Sequence, residues 1–412
     1  MVLEKDELRV EELDLLDFKT DTPALAADAR LPDNLRLAGL CHAKCRGVLA
    51  VTNDDEANLA IAIAVRLLNP GIPVIARAEQ KSVAANMASF GTDHIINPYE
   101  RFADSLALAV AAPERFRLIE LLTSLPETPL AEPHQPPHGH WILCGYGRFG
   151  HAVAERLRNT GIRLTIIDPA AGDADHDIIG DGTEASTLRQ AGISEARGIV
   201  AGSNNDINNL SIAVTAHELN PELFVVARQN QAANNALFAA YGADFTVLPS
   251  RVIAQECIAL LTAPLLARFL DRVQQLNETQ CRQLVERLQA ACAGLTPVVW
   301  DNRLNAAEAP ACWQALMHGR TIELGSLLAD AADRQRRLPV VPLLVERGSD
   351  YLLLPADDFT LQAGDQLLFA SPLAAQRELE LTLRNANELD YVLTGNDHSG
   401  SLLGKLLAGR TA

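Results

Sequence analysis

Within "WILCGYGRFG", residues 141–150, Gly145, Gly147 and Gly150 stand at the spacing of a turn that carries phosphate chemistry. In such a turn the first glycine permits a tight bend, the second lets backbone amides approach a pyrophosphate, and the third lets the next helix pack on its strand. Tyr146, Arg148 and Phe149 fill the positions between and belong to the same candidate site. The helix N-terminus then faces the anion, where unpaired N–H groups favour negative charge. Asp168 follows Gly145 by 23 residues, at the end of "RLTIIDP", where an acid can accept hydrogen bonds from ribose hydroxyls. An acid there repels a 2′-phosphate, so NAD(H) or an adenine nucleotide, ADP or ATP, is favoured over NADP(H). Asp181 in "IIGDGT" falls after a third strand, Ser203 and Asn204 end a fourth, and Arg228 ends a fifth. Open α/β sheets bind ligands at that carboxyl edge. Ser203 reads equally as a helix cap, and Arg228 as a phosphate contact or as the partner of a carboxylate.

Catalytic chemistry has no comparable support. Cys41, His42 and Cys45 are close in sequence, but no second Cys or His pair follows at metal-ligand spacing. His134, His138 and His140 fall in a proline-rich stretch, and no Ser/His/Asp motif is present. No catalytic or metal-ligating residue is therefore assigned, and binding without turnover is the economical reading. A divalent cation among the many acids stays open. So do two other readings: an NAD-dependent oxidoreductase built on the glycine turn, and a scaffold with a vestigial nucleotide site.

The elements that must position these residues repeat. Residues 180–249 lie over 27–98: "GDGTEASTLRQAGISEA" over "ADARLPDNLRLAGLCHA", "GIVAGSNNDINNLSIA" over "GVLAVTNDDEANLAIA", and "FVVAR" over "PVIAR". Solenoid repeats run to about 50 residues, so a period this long means two related domains in tandem. Each copy alternates short β-branched runs with Ala/Leu/Ile helical stretches, which implies βαβ units and a doubly wound parallel sheet. Thr52 and Ser203, each three residues before an Asp, read as helix caps. Only the second copy has the strand, glycine turn and helix of 141–160. The first opens at "MVLEKD", with Val2-Leu3-Glu4 over Ile166-Ile167-Asp168, and adds a helical stretch, "ELRVEELDLLDF". Its sheet lacks the central strand. The expectation is that the chain is the downstream part of something longer, or that a partner supplies the strand.

The expected division is an incomplete Rossmann-like domain over 1–125, a proline-rich linker over 126–138, and a complete nucleotide-binding Rossmann domain over 139–265. A helical crossover and dimerisation segment over 266–295 follows, with Pro264 as a kink just before it, then a small α+β subdomain over 296–395 and a tail over 396–412. With 35 Lys and Arg against 52 Asp and Glu, the net charge of −17 argues against nucleic acid as a partner. Seven scattered cysteines and an N-terminus without a basic-then-apolar pattern suggest a reducing, cytoplasmic setting.

"GYGRFGHAVAERL", "GDGTEASTLRQAGISEARGIVAGSNNDINNLSIAVTAHELNP" and "YGADFTVLPS" resemble the RCK (KTN) regulatory domains of potassium channels and Trk-type uptake subunits, the TrkA-N type. "LPVVPLLVERGSDYLLLPADDFTLQAGDQLLFA", with Pro355, Asp357, Leu361, Gly364 and Asp365, resembles the family's TrkA-C subdomain. The resemblance implies a homodimer or a higher gating-ring oligomer beneath a membrane pore domain, in which nucleotide or ion binding changes the ring's shape. Tandem copies suggest a channel subunit. The chain departs from that pattern in lacking pore helices and in its first copy's missing glycine turn, which leaves ring assembly and any ligand site in that copy in doubt.

Overall fold

The computed structural model describes residues 1–16, 18, 20–129, 135–170 and 177–396. His134, part of the expected linker and nearly all of the expected tail fall outside them. The chain forms two compact units, 1–111 with 134–257 and 112–133 with 258–412.

The first unit holds both copies. Copy one runs β1 (Val2–Glu4), α1 (Glu7–Asp14), β2 (Ala24–Ala26), α2 (Pro32–Leu37), β3 (Val48–Ala50), α3 (Asp55–Leu68), β4 (Val74–Arg77), α4 (Lys81–Ser89), β5 (His94–Ile96) and α5 (Pro98–Ala111). A short helix, α6 (Pro113–Thr123), belongs to the second unit. Copy two then runs β6 (His140–Cys144), α7 (Arg148–Arg158), β7 (Arg163–Asp168), β8 (Ile178–Ile179), α8 (Ala185–Gln190), β9 (Gly198–Ala201), α9 (Asp206–Leu219), β10 (Phe224–Arg228), α10 (Asn235–Tyr241) and β11 (Phe245–Val247). The chain passes between units along α11 (Pro249–Thr262).

Copy two is a parallel sheet in the order β11-β10-β9-β6-β7-β8. Its strands are apolar on both faces because helices cover both. Trp141, Leu143, Val200 and Val226 pack with α5 and α7, while Ile142, Cys144, Ile199 and Val225 pack with α8 and α9. Copy one repeats the topology with a break. Its β1 pairs with β2, Leu3 opposite Leu25, as β7 pairs with β8, Ile167 opposite Ile178. β3, β4 and β5 form a separate sheet, and among the described residues no strand stands where β6 joins β9 to β7. The consequence shows at one aligned pair: Val200 is wholly buried, whereas Leu49 of copy one is 45% exposed.

The carboxyl edges of both sheets are fixed by one device. Asn209, buried at the start of α9, accepts from the Ser203 amide (2.8 Å) and donates to the carbonyls of Ser203 (2.9 Å) and Arg228 (2.6 Å). Asn58 does the same for Thr52 and Arg77 in copy one. The helix caps are Asn205 and Asp54, each two residues beyond the sequence expectation. Ser203 and Thr52 instead receive the amides of Asn205 and Asp54 on their hydroxyls, shaping the turn that precedes the cap.

The second unit places α12 (Pro264–Arg272) and α13 (Glu278–Ala291) against a sheet of β12 (Val298–Arg303), β13 (Val341–Arg347), β14 (Asp350–Leu353) and β15 (Gln366–Ser371), with α6 in the same core. The sheet order is β12-β15-β13-β14, antiparallel throughout. On its other face lie α14 (Pro310–Met317), α15 (Leu324–Leu327), α16 (Leu373–Arg384) and α17 (Ala386–Thr394). Pro264 ends one helix and starts the next instead of kinking a continuous one, because its ring suits the first helical position and lacks the N–H an interior position needs.

Replacing Asn209 with Ala removes three hydrogen bonds to part-buried backbone groups, of which the Ser203 carbonyl keeps a longer one from Asn230, and is expected to destabilise the first unit by about 2–3 kcal/mol in urea denaturation. An unchanged midpoint would show that the clip is idle.

Candidate nucleotide site

β6 delivers the chain to the glycine turn at the carboxyl edge of copy two. Gly145 takes φ +97°, a conformation that glycine adopts without strain. A Cβ on it would come within 3.2 Å of the Gly202 and Ser203 backbone. Its amide donates to the Ile167 carbonyl (2.9 Å), tying the turn to β7. The next amide, of Tyr146, donates to the Asp168 carboxylate (2.6 Å), whose other oxygen accepts from Ala170 (2.8 Å). Asp168 therefore closes the turn, with lone pairs to spare for a sugar. At Gly150 a Cβ would stand 2.1 Å from the Gly145 carbonyl oxygen, so helix and turn touch backbone to backbone.

Gly147 differs. A Cβ there would meet nothing within 4 Å, and its φ is negative. As the N-cap of α7 it offers no side chain to the first-turn amides. Those amides point ahead of the helix without a capping acceptor. Among the described residues, none stands close enough to require that Gly147 be glycine.

The expected flanking residues sit around this turn with different duties. Ser203 is half-buried, with its hydroxyl engaged in its own turn, and Asn204 is exposed. Asp181 is exposed and accepts from the Thr183 amide (2.9 Å), shaping the entry to α8. Its charge and burial push the Cys144 thiol below it up to about 12, burial being the larger cause, so that thiol stays protonated. Phe149 is wholly buried, stacked on Phe102 and edge-on to Tyr99 of α5. It is a wall of the core rather than a ligand contact. Tyr146 stacks on His151, ring centroids 3.8 Å apart.

Arg228 sits between Tyr99 and Phe149, 4.8 and 5.3 Å from their ring centroids. It donates to the Tyr99 hydroxyl (3.1 Å) and toward the Gly202 carbonyl (3.5 Å), and its Nε has no partner among the described residues. Burial pushes its guanidinium down from its ordinary value. A half-buried cation hydrogen-bonded only to neutral groups, with the Glu79 and Asp206 carboxylates acting on it from further off, suits an incoming anion. Nearby, Asp206 collects Asn230, Gln231 and Asn234; burial raises its carboxyl, but these hydrogen bonds prevail and hold it below the usual range.

Sequence reasoning missed Glu79, because its partner comes from the other copy. Its carboxylate lies 3.0 Å from Arg148 Nη1 and pairs also with Arg77. The cavity of about 340 Å³ that opens at Gly147 and Arg148 has Glu79, Lys81, Asn97 and Tyr99 of copy one as its far wall. Among the described residues no three His, Cys, Asp or Glu side chains are grouped to hold a metal ion.

A doubly wound sheet with a close-packed glycine turn and an uncapped helix start defines the Rossmann class of nucleotide-binding domains. Residues 1–98 and 141–249, together half of the chain, match the TrkA-N domain family, and the chain belongs to that family. Both copies of the repeat are thus members. Among its relatives, "Potassium channel protein 1" of Methanocaldococcus jannaschii is 30% identical over 34% of this chain and 45% of its own length. The "Trk system potassium uptake protein TrkA homolog" of Methanothermobacter thermautotrophicus is 31% identical over 31% of this chain and 62% of its own length. These matches span about half of the relatives' lengths. The structure entitled "GsuK channel bound to NAD" superimposes with a TM-score of 0.51 over 93% of this chain and 74% of its own, at 18% identity, a likeness of fold. No single helix among the described residues is long and apolar enough to cross a membrane.

The glycines separate in a thermal melt. Gly150→Ala is expected to destabilise by roughly 1–3 kcal/mol through overpacking, and Gly147→Ala by less than about 1 kcal/mol, the N-cap preference of glycine over alanine. Equal losses at both would show that Gly147 serves the fold.

Proposed function

We propose that this chain is a regulatory module of a potassium channel or potassium-uptake system, with NAD(H) or an adenine nucleotide bound at copy two as effector rather than reactant. The observation that carries the reading is Gly147: a glycine with empty space in front of it, heading a helix whose first amides lack a capping side chain. The family and the names of its relatives support the potassium-transport setting, and with it a cytoplasmic, oligomeric assembly on a membrane pore partner.

In this reading the pyrophosphate lies on the amides after Gly147, Asp168 takes a ribose hydroxyl on its free lone pairs, and Arg228 and Arg148 supply positive charge. Asp181, Ser203 and Asn204 shape the rim. The ligand acts by differential affinity, shifting the assembly only by as much as it prefers one arrangement over another.

Calorimetric titration tests it. Wild-type protein is expected to bind ADP or NADH, with NADPH at least about ten-fold weaker because its 2′-phosphate meets Asp168. Gly147→Ala is expected to weaken binding about ten-fold or more with the fold intact. No binding at millimolar ligand, or full affinity in Gly147→Ala, would reject the site.

A further inference from the structure

Arg148 is the first residue of α7, and 59% of its side chain is exposed, yet it reaches across to copy one and pairs with Glu79. Glu79 is held in place. Its amide donates to both carboxylate oxygens of Asp55 (2.9 and 3.0 Å), its carbonyl accepts from Asn97 (3.2 Å), and its side chain is only 9% exposed. Copy two has Asn230 at the matching position, with the same backbone bond to Asp206, so the charge is peculiar to the copy that faces the turn.

The second partner of Glu79 decides what an exchange involves. Arg77, from the same copy, also pairs with its carboxylate. Withdrawing Arg148 therefore leaves Glu79 neutralised, whereas removing both cations would strand a buried charge. Arg148 lines the cavity, and the other charges there are Glu100 and Glu155, which share Lys81 at 3.7 and 3.6 Å, Glu155 pairing with Arg156 as well.

We propose that Glu79 of copy one is the specificity-determining residue at the phosphate end of the copy-two site: it competes with ligand phosphate for Arg148. The second phosphate, at the end of the pyrophosphate that faces the cavity, takes the guanidinium from Glu79. A monophosphate, satisfied by the turn amides, leaves the pair intact. The site thus counts phosphates, and only the longer ligand frees the segment after β4 from α7. The proposal rests on the nucleotide reading above.

Titrating AMP and ADP into wild type, E79Q, R148Q and the double variant tests it. E79Q is expected to tighten ADP about five-fold and leave AMP unchanged, the scale of one partly exposed ion pair. R148Q is expected to bring ADP close to AMP and to abolish the gain from E79Q. Unchanged or weakened ADP binding in E79Q, an equal gain for AMP, or a gain that survives R148Q would overturn the proposal. Should E79Q fail to fold, R148Q alone decides: an ADP preference over AMP that persists without Arg148 refutes it. If wild type binds ADP but these variants behave alike, only the role of Glu79 falls; if wild type binds no nucleotide, the site itself falls with it.

Discussion

The contact on which the rest depends is between two backbones: Gly150, in the first turn of α7, against the carbonyl of Gly145, with no room for a methyl group. Because helix and turn touch there, α7 starts at the sheet edge. Asp168 and the Ile167 carbonyl then lock the turn by accepting from Tyr146 and Gly145. Fixing the turn this way uses those two amides and leaves the helix start open. In the proposed reading, stability and binding fall to different amides a few residues apart.

The tandem arrangement reuses one set of clips for two ends. In each copy an asparagine early in the third βα helix ties two strand ends together, and an aspartate at the helix start collects the amides beyond the neighbouring strand. The edges are therefore equally well built, but only copy two has a strand and helix to carry a glycine turn to its edge. Copy one contributes α5, whose Tyr99, Phe102 and Leu106 cover α7, and the segment after β4, which walls the cavity ahead of Arg148. One copy would hold the ligand and the other would meet its far end.

Much of this was legible in the sequence, for physical reasons. The glycine turn, the acid after it and the alternation of apolar runs depend on local geometry, and the repeat could be aligned residue by residue, down to Val2–Glu4 standing where β7 ends. Other features depend on what lies across space. Ser203 and Thr52 carry cap-forming side chains, yet Asn205 and Asp54 lie nearer the first helical amides and take that role. Phe149 sits inside the motif but points into the core. Asp168 looks like a pure ligand acid and also closes the turn. Glu79 was invisible because nothing in its own neighbourhood announces it; its meaning comes from Arg148, brought near by the packing of α5 on α7. Pro264 was visible, but whether it bends a helix or separates two was decided by packing on either side.

The most direct measurement is residue-resolved amide exchange of the whole chain with and without ADP. The account predicts that added ligand slows exchange most at Arg148, Phe149 and Gly150, the first turn of α7. Saturation of the protein with ADP while those three amides exchange unchanged would contradict it.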